Sequence, residues 1–489
     1  MEALLEQAAK DTHGWKMWVG GEWVESQSGR RQETRNPATG ELLARVPWAD
    51  AQDVDRAVEA AEAAFPAWSA MEIKERGDYI RAFADLVEAN ADRLGMIDAL
   101  DSGNPYRPMV ADAQKAAGLL RLFAGLGMMM QGQTIPTPGG GLNYTLQQPF
   151  GVVARILPYN HPVSFAAGKI AAPLIAGNTV VMKPADQTPL SALLLGKLAE
   201  EVFPPGVLNI LSGDGAECGA GLVKHPKIWR VAFTGSVETG QRIAADAGIK
   251  SLSMELGGKN PLIIYPDVDL DKVVDAAVAG MNLATCQGQS CGSNSRVFVH
   301  KDLHKRFVER LTERFAAIRP GLPHLPDTQM GCLVSPAQQQ KVLGYIESGI
   351  KQGARVMVGG KPPADPELAN GCFVEATVFD GVKHGMDIEQ NEIFGPVISV
   401  LTWSDEEQMI REANGTRYGL CANVWSNDVS TAHRTAARME CGYVWINGHG
   451  GRRFAGAPFG GFKESGIGRE HSIDELLSYT QIKNVNVRF

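Results

Sequence analysis

The chain lacks the features that would mark it for an oxidising compartment, a membrane or a polyanion. Its 489 residues hold seven cysteines, an odd number with no CxxC pair, which fits neither a disulfide framework nor a zinc site. No uninterrupted apolar run reaches the roughly 20 residues that a bilayer span requires. Met1 to Lys10 alternates acids with apolar residues and has neither the basic nor the apolar region of a secretory signal. Basic residues are not in excess either: 47 Lys and Arg face 55 Asp and Glu, a formal charge of −8. Nucleic-acid binders gather Lys and Arg on one face, and a basic pair such as Arg452-Arg453 is too small for that. No internal repeat or low-complexity segment interrupts the chain. These absences predict a cytoplasmic protein with no nucleic-acid and no membrane partner. A composition of 44% apolar and 21% charged residues supplies the core for two or three domains.

What is present centres on Ala284 to Arg296, where Cys286 and Cys291 lie among small and amide residues just before the apolar run Val297-Phe298-Val299. Small residues on both sides of a thiol leave room for a substrate to reach the sulfur and for backbone N–H groups to face it. A cysteine beside Gly and Ser can also simply fill a tight bend; Cys218, Cys332, Cys372, Cys421 and Cys441 are read as packing residues. Two upstream stretches favour chemistry. Met254-Glu255-Leu256-Gly257-Gly258 puts a lone acid at the end of an apolar run, and Pro158-Tyr159-Asn160 puts a neutral amide at the end of another. A thiol nucleophile, a carboxylate to activate water and an amide donor for an oxyanion form an acyl-transfer set.

Met17 to Val24 reads as a hairpin around Gly20-Gly21. Asp50 reads as the N-cap of a helix whose apolar face is Val54, Ala57, Val58, Ala61 and Phe65. A further helix over Ala113 to Met130 ends in three Met residues, expected mostly in the core, and Gln131 to Gln148 turns to Gly, Pro, Thr and Gln and leaves the preceding domain. Strands then alternate with helices: Val152 to Leu157, helix Ala166 to Ala176, Thr179 to Lys183, helix Pro189 to Val202, Val207 to Leu211, helix Glu217 to Lys224, Trp229 to Thr234, helix Ser236 to Ala247, Ser251 to Glu255. Such alternation predicts a parallel sheet covered on both faces, with its ligand at the carboxyl ends of the strands. Asn160, Lys183, Ser236 and Glu255 all lie just past expected strand ends, hence on one edge. A second α/β unit follows Cys291, with strands at Val297 to Val299, Arg355 to Val358, Val397 to Leu401, Ala422 to Trp425 and Tyr443 to Ile446. Phe233-Thr234-Gly235-Ser236-Val237-Glu238-Thr239-Gly240 is a strand, a glycine turn and a helix start, which can present free N–H groups to a phosphate. It is neither a Walker loop nor GxGxxG, and a plain βα turn has the same outline.

The chain resembles the aldehyde dehydrogenase superfamily. The likeness runs nearly end to end, through Pro158-Tyr159-Asn160, Met182-Lys183-Pro184, Phe233-Thr234-Gly235-Ser236, Met254-Glu255-Leu256-Gly257-Gly258, Gly288-Gln289-Ser290-Cys291, Glu392-Ile393-Phe394-Gly395-Pro396 and Pro458-Phe459-Gly460-Gly461. It implies an α/β fold: a Rossmann-like cofactor domain (1–130 and 150–256), a second α/β catalytic domain (257–465), and a small β oligomerisation arm and tail (131–149 and 470–489). The tail would join the arm of a neighbouring subunit in a homodimer or homotetramer. It further implies NAD, with NADP the lesser cofactor because Asp186 stands where an acid meets the ribose hydroxyls. Gly235 and Ser236 would meet the pyrophosphate, Lys183 and Asp186 the adenosine ribose, Leu256 the nicotinamide, and Glu392 with Phe394 its ribose. Ile156, Leu157, Pro158, Tyr159, Gly215, Phe233 and Thr234 would complete that site. A surface acid neutralised by a nearby lysine is the other reading of Glu392. No metal site is implied.

The chemistry so implied is attack of Cys291 on an aldehyde, with Asn160 and the Cys291 N–H holding the oxyanion. Oxidation by NAD gives a thioester, which Glu255-activated water hydrolyses to a carboxylic acid. Lys169 and Glu470 stand where the family places a proton-handling pair, although a simple ion pair would look the same. Cys286 is expected to be a spectator. A papain-like hydrolase would need His161 as the base for Cys291, and a non-catalytic relative would have little need for Cys291, Glu255 and Asn160 together. Coenzyme-A-acylating relatives lack the general-base Glu, so Glu255 favours hydrolysis. The substrate expectation rests on departures from the family. Gly168 stands where many members carry Trp and Thr285 where many carry an aromatic, while His449, Arg452, Arg453 and Phe454 fall near the expected tunnel mouth. His161 and Ser290, beside Asn160 and Cys291, join these candidates. Together they predict a bulky or aromatic aldehyde, with an anionic or hydroxyl group for an Arg to pair.

Overall fold

In the computed structural model, which describes residues 1–450 and 454–489, the alternating segments form two mainly parallel sheets. The first has the order Glu22–Val24, Met17–Val19, Leu208–Ile210, Thr179–Lys183, Val152–Ile156, Ile228–Thr234, Ser251–Glu255, Gly466–Ile467. Its five middle strands are parallel, and antiparallel pairs close both ends. Val152–Ile156 and Thr179–Lys183 are buried at every residue, as strands covered on both faces must be. The second sheet runs Arg355–Val358, Thr377–Asp380, Val397–Trp403, Arg296–His300, Pro261–Ile264, Cys421–Trp425, Tyr443–Ile446, antiparallel only at its first pair. Mixed α/β architecture is therefore the fold class.

Local chemistry accounts for most boundaries. Asp50 caps helix Ala51–Ala70 by accepting from Gln52 N and Asp53 N, while Asp53 accepts from Asp50 N, a reciprocal box. Val54, Ala57, Val58 and Ala61 are buried along it. Where one helix was expected over Ala166 to Ala176, two short ones stand, Pro162–Gly168 and Ala171–Ile175. Gly168 weakens the join, and the carbonyl of Lys169 accepts from Arg155 Nε at 3.0 Å. Strand Pro261–Ile264 has no counterpart in the periodicity reading; Pro is tolerated as a strand's first residue. Met1 to Lys10, read only as alternating, forms helix Glu2–Asp11. Met128 and Met129 are 65% and 61% exposed, outside the core expected for them.

The arm consists of Thr134–Ile135 and Leu142–Pro149, and strand Thr480–Val487 pairs with the latter from Thr480 opposite Pro149 to Val487 opposite Leu142. The tail thus pairs with its own chain's arm along eight residues. Glu470 and helix Ile473–Leu477 precede that strand and are not part of it: the Glu470 side chain is buried against Lys169. Among the described residues no helix is long and apolar enough to cross a membrane.

Candidate active site

Parallel strands that end at Ile156, Lys183, Thr234 and Glu255 deliver their next residues to one edge of the first sheet, with Thr234 directly beside Glu255. A cleft of about 360 Å³ opens there. Ile156, Leu157, Pro158, Tyr159, Lys183, Asp186, Gly215, Phe233, Thr234, Gly235, Ser236, Leu256, Glu392 and Phe394 all line it, as do Asn160, Glu255 and Cys291.

One end suits a dinucleotide's phosphates and ribose. Ser236 caps helix Val237–Asp246, its hydroxyl accepting from Thr239 N, so a helix N-terminus faces the cleft. A Cβ on Gly235 would meet the Phe233 ring at 2.3 Å, which explains the glycine. Its N–H donates to Glu255 O at 3.1 Å, so the free donors at this turn belong to the helix start. Burial lowers the pKa of Lys183, whose ammonium donates to Pro184 O at 3.0 Å. Glu392 is half-buried at the cleft, near Lys341 and Lys259. Burial raises its pKa, its Oε1 accepts from Gly258 N at 2.9 Å, and its Oε2 lies 2.5 Å from where a Cβ on Gly257 would stand. The Phe394 ring meets Tyr159 edge-on at 5.8 Å, and Gln338 Nε2 clamps Phe394 O at 2.8 Å. A helix start, a buried cation and a glycine-shaped cradle over a carboxylate fit a dinucleotide.

The other end carries Cys291, Asn160 and Glu255. Cys291 is part-exposed and packs against the apolar group Leu420, Cys421, Trp445 and Phe459; Asn260 Nδ2 holds its carbonyl at 2.7 Å. Asn160 is 5% exposed. Its Nδ2 donates to Gln289 O at 2.8 Å and its backbone carbonyl accepts from Asn104 Nδ2 at 2.9 Å, which ties the amide to the loop that carries Cys291. The Glu255 carboxylate comes within 2.8 Å of where a Cβ on Gly460 would be, so only glycine fits opposite it. Lys169 and Glu470 lie outside the cleft lining. Lys169 Nζ donates to both Glu470 oxygens and to Thr234 Oγ1, each at 2.8 Å, and so reaches the cleft through Thr234. Burial raises the Glu470 carboxyl, but Lys169 and Arg155 outweigh it and hold the group down to about 2.

The described substrate candidates, His161, Gly168, Thr285, Ser290, His449 and Phe454, are not among the residues that line this cleft. Phe454 is 71% exposed, and Arg452 and Arg453 lie outside the described residues. His449 is half-buried. Ser290 Oγ accepts from Gly292 N at 3.2 Å and from Asn282 Nδ2 at 3.3 Å, bracing the loop that carries Cys291. Gly168 does not open a space of Trp size, because a Cβ there would meet Leu119 Cδ1 at 3.1 Å and Ala116 Cα at 3.7 Å. Helix Tyr106–Leu126 fills that volume. Cleft residues that the sequence reading missed include Phe165, Thr239, Gln338 and Lys341. The i, i+3 spacing of Gln338 and Lys341 puts them on one helix face, the only signal available for them.

Residues 23–485 match the model of the aldehyde dehydrogenase family. The chain is 45% identical over 480 residues to the aldehyde dehydrogenase tropH of Talaromyces stipitatus, covering 96% of this chain and 93% of that one. The NAD+ complex of the Bacillus cereus aldehyde dehydrogenase superposes with a TM-score of 0.95 at 42% identity, over 100% and 98% of the two chains. Indole-3-acetaldehyde dehydrogenase AldA of P. syringae, in complex with NAD+ and IAA, gives 0.94 at 36% identity over 99% of each. The protein belongs to the aldehyde dehydrogenase family. It is an NAD(P)-dependent oxidoreductase that acts on aldehydes.

Proposed function

We propose that the protein oxidises a bulky or aromatic aldehyde to the carboxylic acid, with NAD preferred, through a thiohemiacetal and a thioester on Cys291. The reading rests on one observation: Cys291, Glu255 and Asn160 share a single cleft with the dinucleotide-fitting residues. The Cys291 sulfur attacks the aldehyde carbon. The Asn160 side-chain amide and the Cys291 N–H donate to the oxygen as it gains charge, the stabilisation that counts most in acyl transfer. When bound, the dinucleotide supplies the two-electron oxidant, and Gly235, Ser236, Lys183, Glu392 and Phe394 are the residues that would hold it. Glu255 takes a proton from water, which adds to the thioester carbon and releases the acid and the thiol. Lys169 and Glu470 position Thr234 at the cleft wall beside Glu255. In this scheme 1–130 with 150–256 binds the dinucleotide, 257–465 carries the nucleophile, and the remaining segments mediate assembly in a cytoplasmic enzyme. Incubation with NAD and a panel of aldehydes, followed by absorbance of the reduced cofactor, tests it. No turnover of any aromatic aldehyde would refute the substrate class.

NAD should exceed NADP in catalytic efficiency. Asp186, at the cleft wall three residues after Lys183, can accept hydrogen bonds from ribose hydroxyls and repels a 2′-phosphate. Asp186→Ser should narrow the preference; equal efficiency with both cofactors, unaltered by that change, would overturn it.

Assembly follows from the arm. Ile135, Leu142, Leu146 and Ile482 are 40%, 39%, 40% and 71% exposed on one three-stranded sheet, apolar surface that a lone subunit would leave in water. A homodimer or homotetramer would cover it. Truncation after Tyr479 should lower the molar mass measured by light scattering, whereas a full-length monomer at micromolar concentration would contradict the assignment.

A further inference from the structure

A buried polar cluster next to the nucleophile's loop takes no part in the chemistry above. Asp112, on helix Tyr106–Leu126, meets His161 Nδ1 at 2.5 Å, with the two side chains 12% and 20% exposed. His161 directly follows Asn160, and the Asn160 bond to Gln289 O at 2.8 Å joins this turn to the loop that carries Cys291. On that loop's approach, helix Leu283–Cys286 brings the Cys286 sulfur up to the imidazole, and Thr285 Oγ1 lies 3.7 Å from the same sulfur. The ring also stands edge-on to Phe165 at 5.8 Å, and Phe165 lines the cleft with Cys291.

The charge state follows from the partners. Burial pushes the imidazole down, but Asp112 and, to a lesser degree, Cys286 outweigh it and hold it up to about 10. The ring is therefore an imidazolium at neutral pH, with Nδ1 committed to Asp112. Its Nε2–H is left to a thiol, a weak acceptor, which an anionic or phenolic oxygen would outcompete. A cationic ring thus stands next to Asn160 and edge-on to Phe165, two residues that do line the cleft.

We propose that His161, fixed by Asp112, is the specificity group for an acidic oxygen on the substrate, either a carboxylate or a phenolic hydroxyl carried by the aldehyde. The assignment rests on the bulky-aldehyde reading above. It gives that oxygen a partner in the described residues, where the sequence had offered arginines.

The test compares kcat/KM for benzaldehyde, 4-hydroxybenzaldehyde and 4-carboxybenzaldehyde in the wild type, His161→Phe and His161→Gln, with NAD and with acetaldehyde and betaine aldehyde as references. At least one substituted substrate should exceed benzaldehyde in the wild type. The ratio of substituted to unsubstituted efficiency should fall by about tenfold or more in His161→Phe, mainly through KM, as expected for one charge-assisted hydrogen bond. His161→Gln keeps a donor without the charge, so it should retain the hydroxyl preference and lose the carboxylate one. The affected substrate thereby identifies which oxygen is read. Benzaldehyde as the best aromatic substrate, or a ratio unchanged in both variants, would overturn the proposal. Acetaldehyde or betaine aldehyde surpassing all three aromatics would instead overturn the bulky-aldehyde reading.

Discussion

Replacement of Cys291 by alanine is expected to abolish aldehyde oxidation and esterase activity together, by ~10⁴-fold or more, the scale on which removal of a nucleophile acts. In the proposed mechanism both reactions pass through a bond to sulfur. Cys291 is the single cysteine among the residues that line the cleft, so no neighbouring thiol can take over. The loop should keep its shape, since Asn260 holds the Cys291 carbonyl and not its side chain. Cys441→Ala is the matched control. Burial pushes that thiol up to about 11, so it is a poor nucleophile, and it lies outside the cleft lining; neither rate should change appreciably. Steady-state assays with an aldehyde plus NAD and with a chromogenic ester check both arms. A folded Cys291→Ala protein that kept either activity would refute the nucleophile's assignment.

The parts of the site that could be read from the sequence are those set by local geometry. A parallel strand followed by a turn delivers its next residue to the sheet's carboxyl edge, so Asn160, Lys183, Ser236 and Glu255 reach one cleft for the same reason. Asp50 could be read as a helix cap because capping is a contact between near neighbours in sequence. Contacts between distant segments left no such trace. Asp112 and His161 are 49 residues apart, and nothing in either segment's periodicity points to the other. Leu119 beneath Gly168 is a packing decision of a different helix, which is why a missing Trp looked like an open volume. The Lys169 to Glu470 bond spans 301 positions and accompanies a break in a helix that apolar pattern alone would have continued. The tail's return to its own arm is likewise fixed by an eight-residue register, Thr480–Val487 against Leu142–Pro149, not by composition.

Glu255→Gln should separate the two halves of the reaction. The change keeps size and removes the group that takes the water proton. The site has little room for anything larger, since the carboxylate faces Gly460 at a distance that excludes even a Cβ. Strand Ser251–Glu255 is held on both sides, by Thr234 opposite Glu255 in the parallel pair and by Gly466 in the antiparallel one, so the backbone should not move. Formation of the thioester needs the sulfur and the Asn160 amide, neither of which is altered. Rapid mixing of the variant with aldehyde and NAD should therefore give a burst of reduced cofactor approaching one equivalent per active site. A steady state slower than wild type by roughly 10²–10⁴-fold should follow, the usual contribution of a positioned general base. Trapped protein should carry the acyl group on Cys291 by mass spectrometry, and an added amine nucleophile should restore turnover by attacking the thioester directly. Unchanged steady-state turnover would show that another group activates the water. A variant that lost the burst along with the steady state would place Glu255 in the first half of the reaction instead, as the base that deprotonates the thiol.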